Sequence, residues 1–276
     1  MRKRKVLLAR FPHGRSDDPD TTDWLVSTVI KVKSDPRISD VLHFRIDDTP
    51  ITMGRNRTVE TAKECGADYL CMIDSDMSPD LPYPGSKPFW DTSFDFLYKL
   101  DRPAMVAAPY CGAPPHENVF VFQWSNRQSE HPAETDLKLD QFTREHAAVL
   151  KGIQEVAALP TGLILIDMRV FDYLEPPYFF YAYTDKYEQK KAGTEDVVFT
   201  RNASLAGCPV FCNWDSWAGH WKRKCVGKPQ LIFADNVAEA FRKACLRNIG
   251  SRDRLLEVGP EGVDPSQCEE PVCLGF

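Results

Sequence analysis

The residues best equipped for chemistry are Asp74-Ser75-Asp76, two carboxylates one residue apart directly after the apolar run Tyr69-Leu70-Cys71-Met72-Ile73. Two acids so spaced can share a divalent ion through oxygen. Hard cations such as Mg²⁺ and Mn²⁺ accept carboxylates and keep positions open for diphosphate oxygens. Such triplets are also common as solvated loop acids, and the apolar run before this one is what sets it apart. A second pair, Glu195-Asp196, follows Thr194. At the start of a helix the macrodipole favours ionised carboxylates, and an ionised Asp can take the proton of an attacking hydroxyl. The plainer reading is two first-turn acids. Arg10, Arg55 and Arg57 carry guanidinium forks that suit phosphate oxygens, although Arg57 reads equally as a helix surface residue. Trp214, Trp217 and Trp221 crowd around His220. They are either stacking faces for a sugar or base, or a core cluster, with Trp217 the one expected to be exposed. Gly162, lacking a Cβ, lets backbone approach a ligand, or is simply a turn glycine after Pro160.

These groups need a scaffold, and the first half of the chain alternates strand and helix signals as a parallel α/β sheet does. Strands are expected at 5–11, 41–46, 69–73 and 104–108, and helices at 22–33, 57–65 and 89–100, with Gly66 placed for a left-handed cap. The run 69–73 is apolar throughout, as in a strand buried on both faces. Asp74 and Asp76 then fall at the carboxyl edge, where open α/β sheets bind ligands. Downstream, strands are expected at 118–124, 155–159, 163–167 and 209–213, a short helix at 169–174, and helices at 194–206 and 234–248. The polar stretch 126–140 reads as mobile.

Met53-Gly54-Arg55-Asn56-Arg57, the helix leading to Asp68, and Tyr69 to Asp76 together resemble the nucleotide-binding half of GT-A-fold glycosyltransferases, especially glycosyltransferase family 2. Pro160-Thr161-Gly162-Leu163 resembles the glycine loop of that family, Thr194-Glu195-Asp196 its acidic motif, and Gly219-His220 the metal-binding histidine of many GT-A enzymes. The motifs occur in the expected order between about residues 5 and 222. The resemblance implies a Rossmann-like, mostly parallel sheet flanked by helices, and a nucleotide-sugar donor, a UDP-sugar first. Asp74, Asp76 and His220 would be at the metal, with Mn²⁺ (or Mg²⁺) as cofactor. It further implies Asp196 as the general base of a transfer read as inverting, retaining GT-A enzymes sharing the same metal site, with catalytic Glu195 beside it orienting the acceptor or the helix start. Arg10, Arg55, Arg57, Ser75, Gly162 and Trp217 would face the donor, and Asp47, preferred over Asp48, the nucleobase.

Composition narrows the alternatives. A net charge of −6 over 276 residues argues against a protein that mainly coats nucleic acid. No apolar run reaches 18 residues, the basic start Met1 to Lys5 precedes only four apolar residues, and a cytoplasmic protein is expected. Nine scattered cysteines read as reduced thiols, with a zinc site at Cys208, Cys212 and Cys225 the weaker possibility. P-loop, dinucleotide and Gly-x-Ser-x-Gly signatures are absent. The enzymatic alternative is a nucleotidyltransferase of related fold, and the non-enzymatic one a nucleotide-sugar-binding protein without turnover. The chain is expected to form one catalytic domain over 1–225, with donor half 1–110 and acceptor half 111–225, plus a C-terminal appendage over 226–276. The expected acceptor is a hydroxyl on a glycan, a small molecule, a protein or a hydroxymethylated DNA base; Trp221-Lys222-Arg223-Lys224 is compatible with a phosphate backbone.

Overall fold

The computed structural model describes residues 2–12, 19–47, 49–112, 118–125, 137–183, 191–221, 230–233 and 271–274. These cluster as two compact units, residues 1–111 with 119–221, and residues 112–118 with 222–276. In the second, the described elements are two antiparallel strands, Gln230–Phe233 and Pro271–Leu274. The helix expected at 234–248, Asp48, Cys225 and Lys222 to Lys224 lie outside the described residues.

The first unit opens with β1 (Arg4–Phe11), α1 (Pro19–Ser34), β2 (Ile38–Arg45), α2 (Ile51–Glu64), β3 (Tyr69–Asp74) and β4 (Met77–Ser78). It continues with α3 (Phe89–Leu100), β5 (Met105–Ala107), β6 (Phe122–Trp124), β7 (Leu139–Gln141), α4 (Arg144–Val149), β8 (Ile153–Val156) and β9 (Leu163–Asp167). After a 3₁₀ turn, Met168–Asp172, come β10 (Ala182–Tyr183), β11 (Lys191–Gly193), α5 (Glu195–Leu205), β12 (Val210–Asn213) and β13 (Gly219–His220).

A seven-stranded sheet in the order β2-β1-β3-β9-β5-β12-β8 forms the centre. β1 runs parallel to β2 and β3, and β5 parallel to β12, while β9 and β8 run against their neighbours. This is the mixed α/β, mostly parallel, helix-flanked sheet that the alternation of elements implied. Strand residues alternate between two cores because successive side chains point to opposite faces. Leu7, Ala9, Leu70, Met72, Ile164 and Ile166 join Val59 and Ala62 of α2 and Phe199 and Ala203 of α5. Val6, Leu8, Cys71, Ile73 and Leu165 join Trp24 and Leu25 of α1 and Phe94 and Leu97 of α3. Helices on both faces leave β1, β3 and β9 sealed from water, which explains their unbroken apolar runs.

Several boundaries differ from expectation. α2 begins at Ile51, following Pro50, rather than at Arg57. The strand expected at 155–159 is β8, a few residues earlier, and the helix expected at 169–174 is the 3₁₀ turn. Of 118–124 only Phe122–Trp124 is strand, paired with β7, whose Leu139 and Asp140 end the stretch read as mobile. Gly66 does adopt a left-handed φ of 65° beyond α2, with its N–H donating to the Lys63 carbonyl.

Candidate active site

The carboxyl ends of β1 and β3 meet where Phe11 pairs with Asp74 and Arg10 with Ile73. β9 runs the other way, so its starting end reaches the same edge: Ile73 pairs with Leu163, and the Gly162 carbonyl accepts the Asp74 N–H at 2.9 Å. The loop after Asp74 is fixed from two sides. The Ser75 N–H donates to the Phe11 carbonyl, and the buried Thr21 hydroxyl of α1 lies against the carbonyls of Ser75 and Met77. Ser75 is thereby buried as a loop anchor.

Asp76 and His220 are brought together by a two-residue ladder that nothing in the local sequence announces. β13 pairs antiparallel with β4, His220 opposite Met77, and the Trp221 N–H donates to the Asp76 carbonyl at 2.8 Å. The His220 Nε2 then lies 3.2 Å from Asp76 Oδ2. Its Nδ1 lies 3.1 Å from the Cys111 carbonyl, and because a carbonyl only accepts, Nδ1 carries the proton and donates. In the neutral ring Nε2 is then a lone pair facing a carboxylate oxygen. Two acceptors at that separation call for a proton or a cation between them. The fixed Nδ1–H is also the usual outer support of a metal-bound imidazole.

Asp74 has a different partner. Arg55 Nη2 lies 3.0 Å from both Asp74 Oδ1 and Oδ2, and Arg55 Nε lies 3.7 Å from Glu195 Oε1. Arg55 is 3% exposed and sits near the rings of Phe11 and Phe179. Its guanidinium therefore ties the β3 acid to the α5 acids instead of facing outward. Among the described residues no three His, Cys, Asp or Glu side chains form a metal-sized group; Asp76 and His220 form a facing two-donor set, while Asp74, near both, is engaged by Arg55. Cys208 and Cys212 are buried free thiols.

Glu195 and Asp196 open α5, with Thr194 at the N-cap making no side-chain cap bond. Asp196 Oδ1 accepts the Val197 N–H at 2.8 Å. Glu195 is buried at 6% exposure, and burial, then the neighbouring Asp196, push its carboxyl above the usual range against the pull of Arg55. Asp74 is pushed up in the same way, by burial first, with Arg55 opposing and Asp76 adding to the rise. Burial works against the charge of Arg55, but Asp74, Asp196 and Glu195 outweigh it and the guanidinium is held more firmly protonated.

Two tyrosines absent from the sequence expectations join this centre. Tyr110, after β5, packs edge-on to His220 at 5.0 Å, and a Cβ on Gly162 would meet its ring and hydroxyl at 2.8 Å. Gly162 is thus required for the approach of a ring, its own φ lying outside the left-handed region. The Tyr110 phenol is raised well above its ordinary pKa by burial and then by Asp196 and Asp74. Tyr181 is also raised, by burial and then by Glu195, to which its hydroxyl bonds. Tyr110 was findable, as it follows a strand ending at the carboxyl edge. Tyr181 lies among aromatic residues with no periodic pattern.

The other expected residues are more dispersed. Asp47 is exposed and held by Arg45 at 3.0 Å. Arg10 lies at the β1 end, beside Arg45 and Ile73 in the sheet. Arg57 is exposed on α2 and lines a groove with residues 176–183. Trp217 is half-buried against Trp214 at 5.9 Å, and Trp221, 54% exposed, is the outward one instead; its indole donates to Asp20. No helix among the described residues is long and apolar enough to cross a membrane.

No family model and no curated protein matches the chain. Among solved structures, it is similar to A197 from STIV at 14% identity and a TM-score of 0.49, covering 86% of this chain and 91% of that one. It is similar to GalNAc-T7 with UDP, GalNAc and Mn²⁺ at 12% identity and 0.43, covering 80% of this chain and 44% of that one. It is also similar to UDP-glucose pyrophosphorylase complexed with UDP-glucose, at 8% identity and 0.39, covering 80% and 92%.

Proposed function

We propose that this chain is a metal-dependent glycosyltransferase of the GT-A fold, moving a sugar from a nucleotide-sugar donor, a UDP-sugar first, to an acceptor hydroxyl with inversion. The observation that carries the reading is the pair of facing acceptors, Asp76 Oδ2 and His220 Nε2 at 3.2 Å, at the ligand-binding edge of the sheet and beside a second acidic pair. One carboxylate and one imidazole suit a divalent ion with positions left for diphosphate oxygens, and the imidazole favours Mn²⁺ over Mg²⁺. Held by Asp76 and His220, such an ion would supply charge for the departing diphosphate.

The remaining groups act through position. Arg55 fixes the Asp74 carboxylate and the start of α5 relative to each other. The acceptor oxygen attacks the anomeric carbon while the bond from that carbon to the diphosphate oxygen breaks, the diphosphate leaving with the electron pair. Asp196 takes the hydroxyl proton. Glu195, tied to Tyr181 and Arg55, orients the helix start that carries the base. Arg10 serves the donor from the β1 end, Asp47 the nucleobase, and Trp217 and Gly162 border the site.

A thermal-shift screen of nucleotide sugars, with and without Mn²⁺, tests this on the wild type and on Asp76→Ala. Stabilisation that needs both the metal and Asp76 is expected. If no sugar nucleotide stabilises the wild type, or if the shift survives in Asp76→Ala without metal, the reading fails. Asp196→Asn should retain the donor shift and lose transfer. Release of nucleoside diphosphate, rather than consumption of pyrophosphate, separates glycosyl from nucleotidyl transfer, and a donor shift without any turnover would indicate a binding protein.

A further inference from the structure

Beside the acidic pair, α2 and the segment 176–183 enclose a groove of about 880 Å³, within the range of small-ligand sites. One wall is the outer face of α2, with exposed Met53, Arg57 and Glu60, and the other is aromatic, including Phe180 at 40% exposure, Tyr181 and Tyr183. The walls are clamped together. The Asn56 amide donates to the Phe179 carbonyl at 2.8 Å, and its oxygen accepts the N–H groups of Tyr178 and Phe179. Phe179 itself is buried against Phe199 at 4.3 Å. Tyr181, in the groove lining, bonds to Glu195, the neighbour of Asp196. Through Tyr181, and through Phe179 beside Arg55, one wall of the groove abuts the acids at the start of α5.

We infer that this groove is the acceptor subsite and that it takes an uncharged sugar ring of a glycan. The inference rests on the glycosyltransferase reading and adds to it the acceptor class and its place. Aromatic faces pack against the C–H face of a pyranose while Tyr hydroxyls, Arg57 and Glu60 meet its hydroxyls. Charge argues against a phosphodiester: Arg57 is offset by Glu60, and Glu195 lies behind Tyr181. Lys63, whose ammonium donates to the Tyr178 hydroxyl at 2.8 Å, is not part of the groove lining. A nucleic-acid strand requires a cationic track along its backbone, and this groove has none among the described residues.

The test separates the acceptor claim from the donor claim. Binding of a panel of neutral oligosaccharides of glucose, galactose and N-acetylglucosamine is read by saturation-transfer NMR on the full chain, without donor. At least one should bind, and Phe180→Ala and Arg57→Ala should each weaken it by roughly five- to tenfold. With a donor established, the same substitutions should raise the acceptor KM by that factor while the donor KM moves by less than about twofold. The inference is overturned if no oligosaccharide binds the wild type, or if both variants bind as the wild type does. It is equally overturned if an oligonucleotide carrying 5-hydroxymethylcytosine saturates the enzyme where the oligosaccharides do not. A failed donor screen alongside oligosaccharide binding that Phe180→Ala weakens would sink the glycosyltransferase reading and leave a sugar-binding groove.

Discussion

Arg55 Nη2 stands 3.0 Å from both carboxylate oxygens of Asp74, an ion pair with a buried guanidinium and a carboxylate 26% exposed that joins the helix α2 to strand β3 of the central sheet. Its Nε and Nη1 are buried without hydrogen-bond partners, so the guanidinium depends on the surrounding carboxylates for its stability. Removing one partner of such a pair strands the other charge in a poor solvent.

Arg55→Met should therefore destabilise by about 3–5 kcal/mol. Asp74→Asn in that background should recover part of the loss, since the stranded carboxylate is gone. A urea-denaturation double-mutant cycle measures this, and simple additivity of the two losses would contradict the pairing.

Glu195→Gln gives a pH signature whose sign is set. Burial raises the folded-state pKa of Glu195 above its unfolded value, so the stability it contributes is full below the ordinary carboxylate pKa and is lost as pH rises through the raised folded value. Glutamine does not titrate. The Tm of the variant minus that of the wild type should become more positive as pH rises above the ordinary carboxylate range, as followed by calorimetry in matched buffers.

Asn56→Ala should cost about 2–4 kcal/mol, because the N–H groups of Tyr178 and Phe179 and the Phe179 carbonyl lose their partner at once. Hydrogen exchange should rise at Tyr178 and Phe179 before it rises in β3. Uniform loosening of the whole domain would assign Asn56 no special hold on this segment.

Gly162→Ala should destabilise by about 1–3 kcal/mol through the collision of its Cβ with Tyr110. Tyr110→Leu, with no ring at that spot, should make the same substitution far milder. Equal penalties in the two backgrounds, read from urea midpoints, would place the strain elsewhere.

His220→Ala should remove most of the stabilisation that Mn²⁺ gives the wild type, about 2.7 kcal/mol at a hundredfold excess over Kd. EDTA should abolish the metal-dependent shift in the wild type and leave the variant unmoved. A full shift in the variant would discard the imidazole as a ligand.

How much of this was legible in the sequence follows from the range of each interaction. The strand Tyr69–Asp74 and the Gly66 cap were readable because their causes are local: unbroken burial and a left-handed turn. The start of α2 is not legible because Ile51, Thr52 and Gly54 are weak helix formers and its marker is Pro50 before them. The ladder of β4 and β13 has two residues a side and no period to read. The bond of Trp221 to Asp20 and the packing of Trp217, expected to be exposed, against Trp214 are likewise set by tertiary packing rather than by any local pattern. The guanidinium of Arg55 marks it as a candidate in the sequence, but its burial is set only by the packing of α2 against β3.

The antiparallel pairing of β13 with β4 has a consequence for how the protein comes to life. A chain emerges from the ribosome amino end first, so the Asp76 loop is made long before the imidazole that faces it. Every nascent or prematurely terminated product that stops short of His220 holds one half of that pair and not the other. The last strand laid into the first unit is thus a completion mark, and a chain cut before it carries the Asp-Ser-Asp loop with no imidazole to meet it.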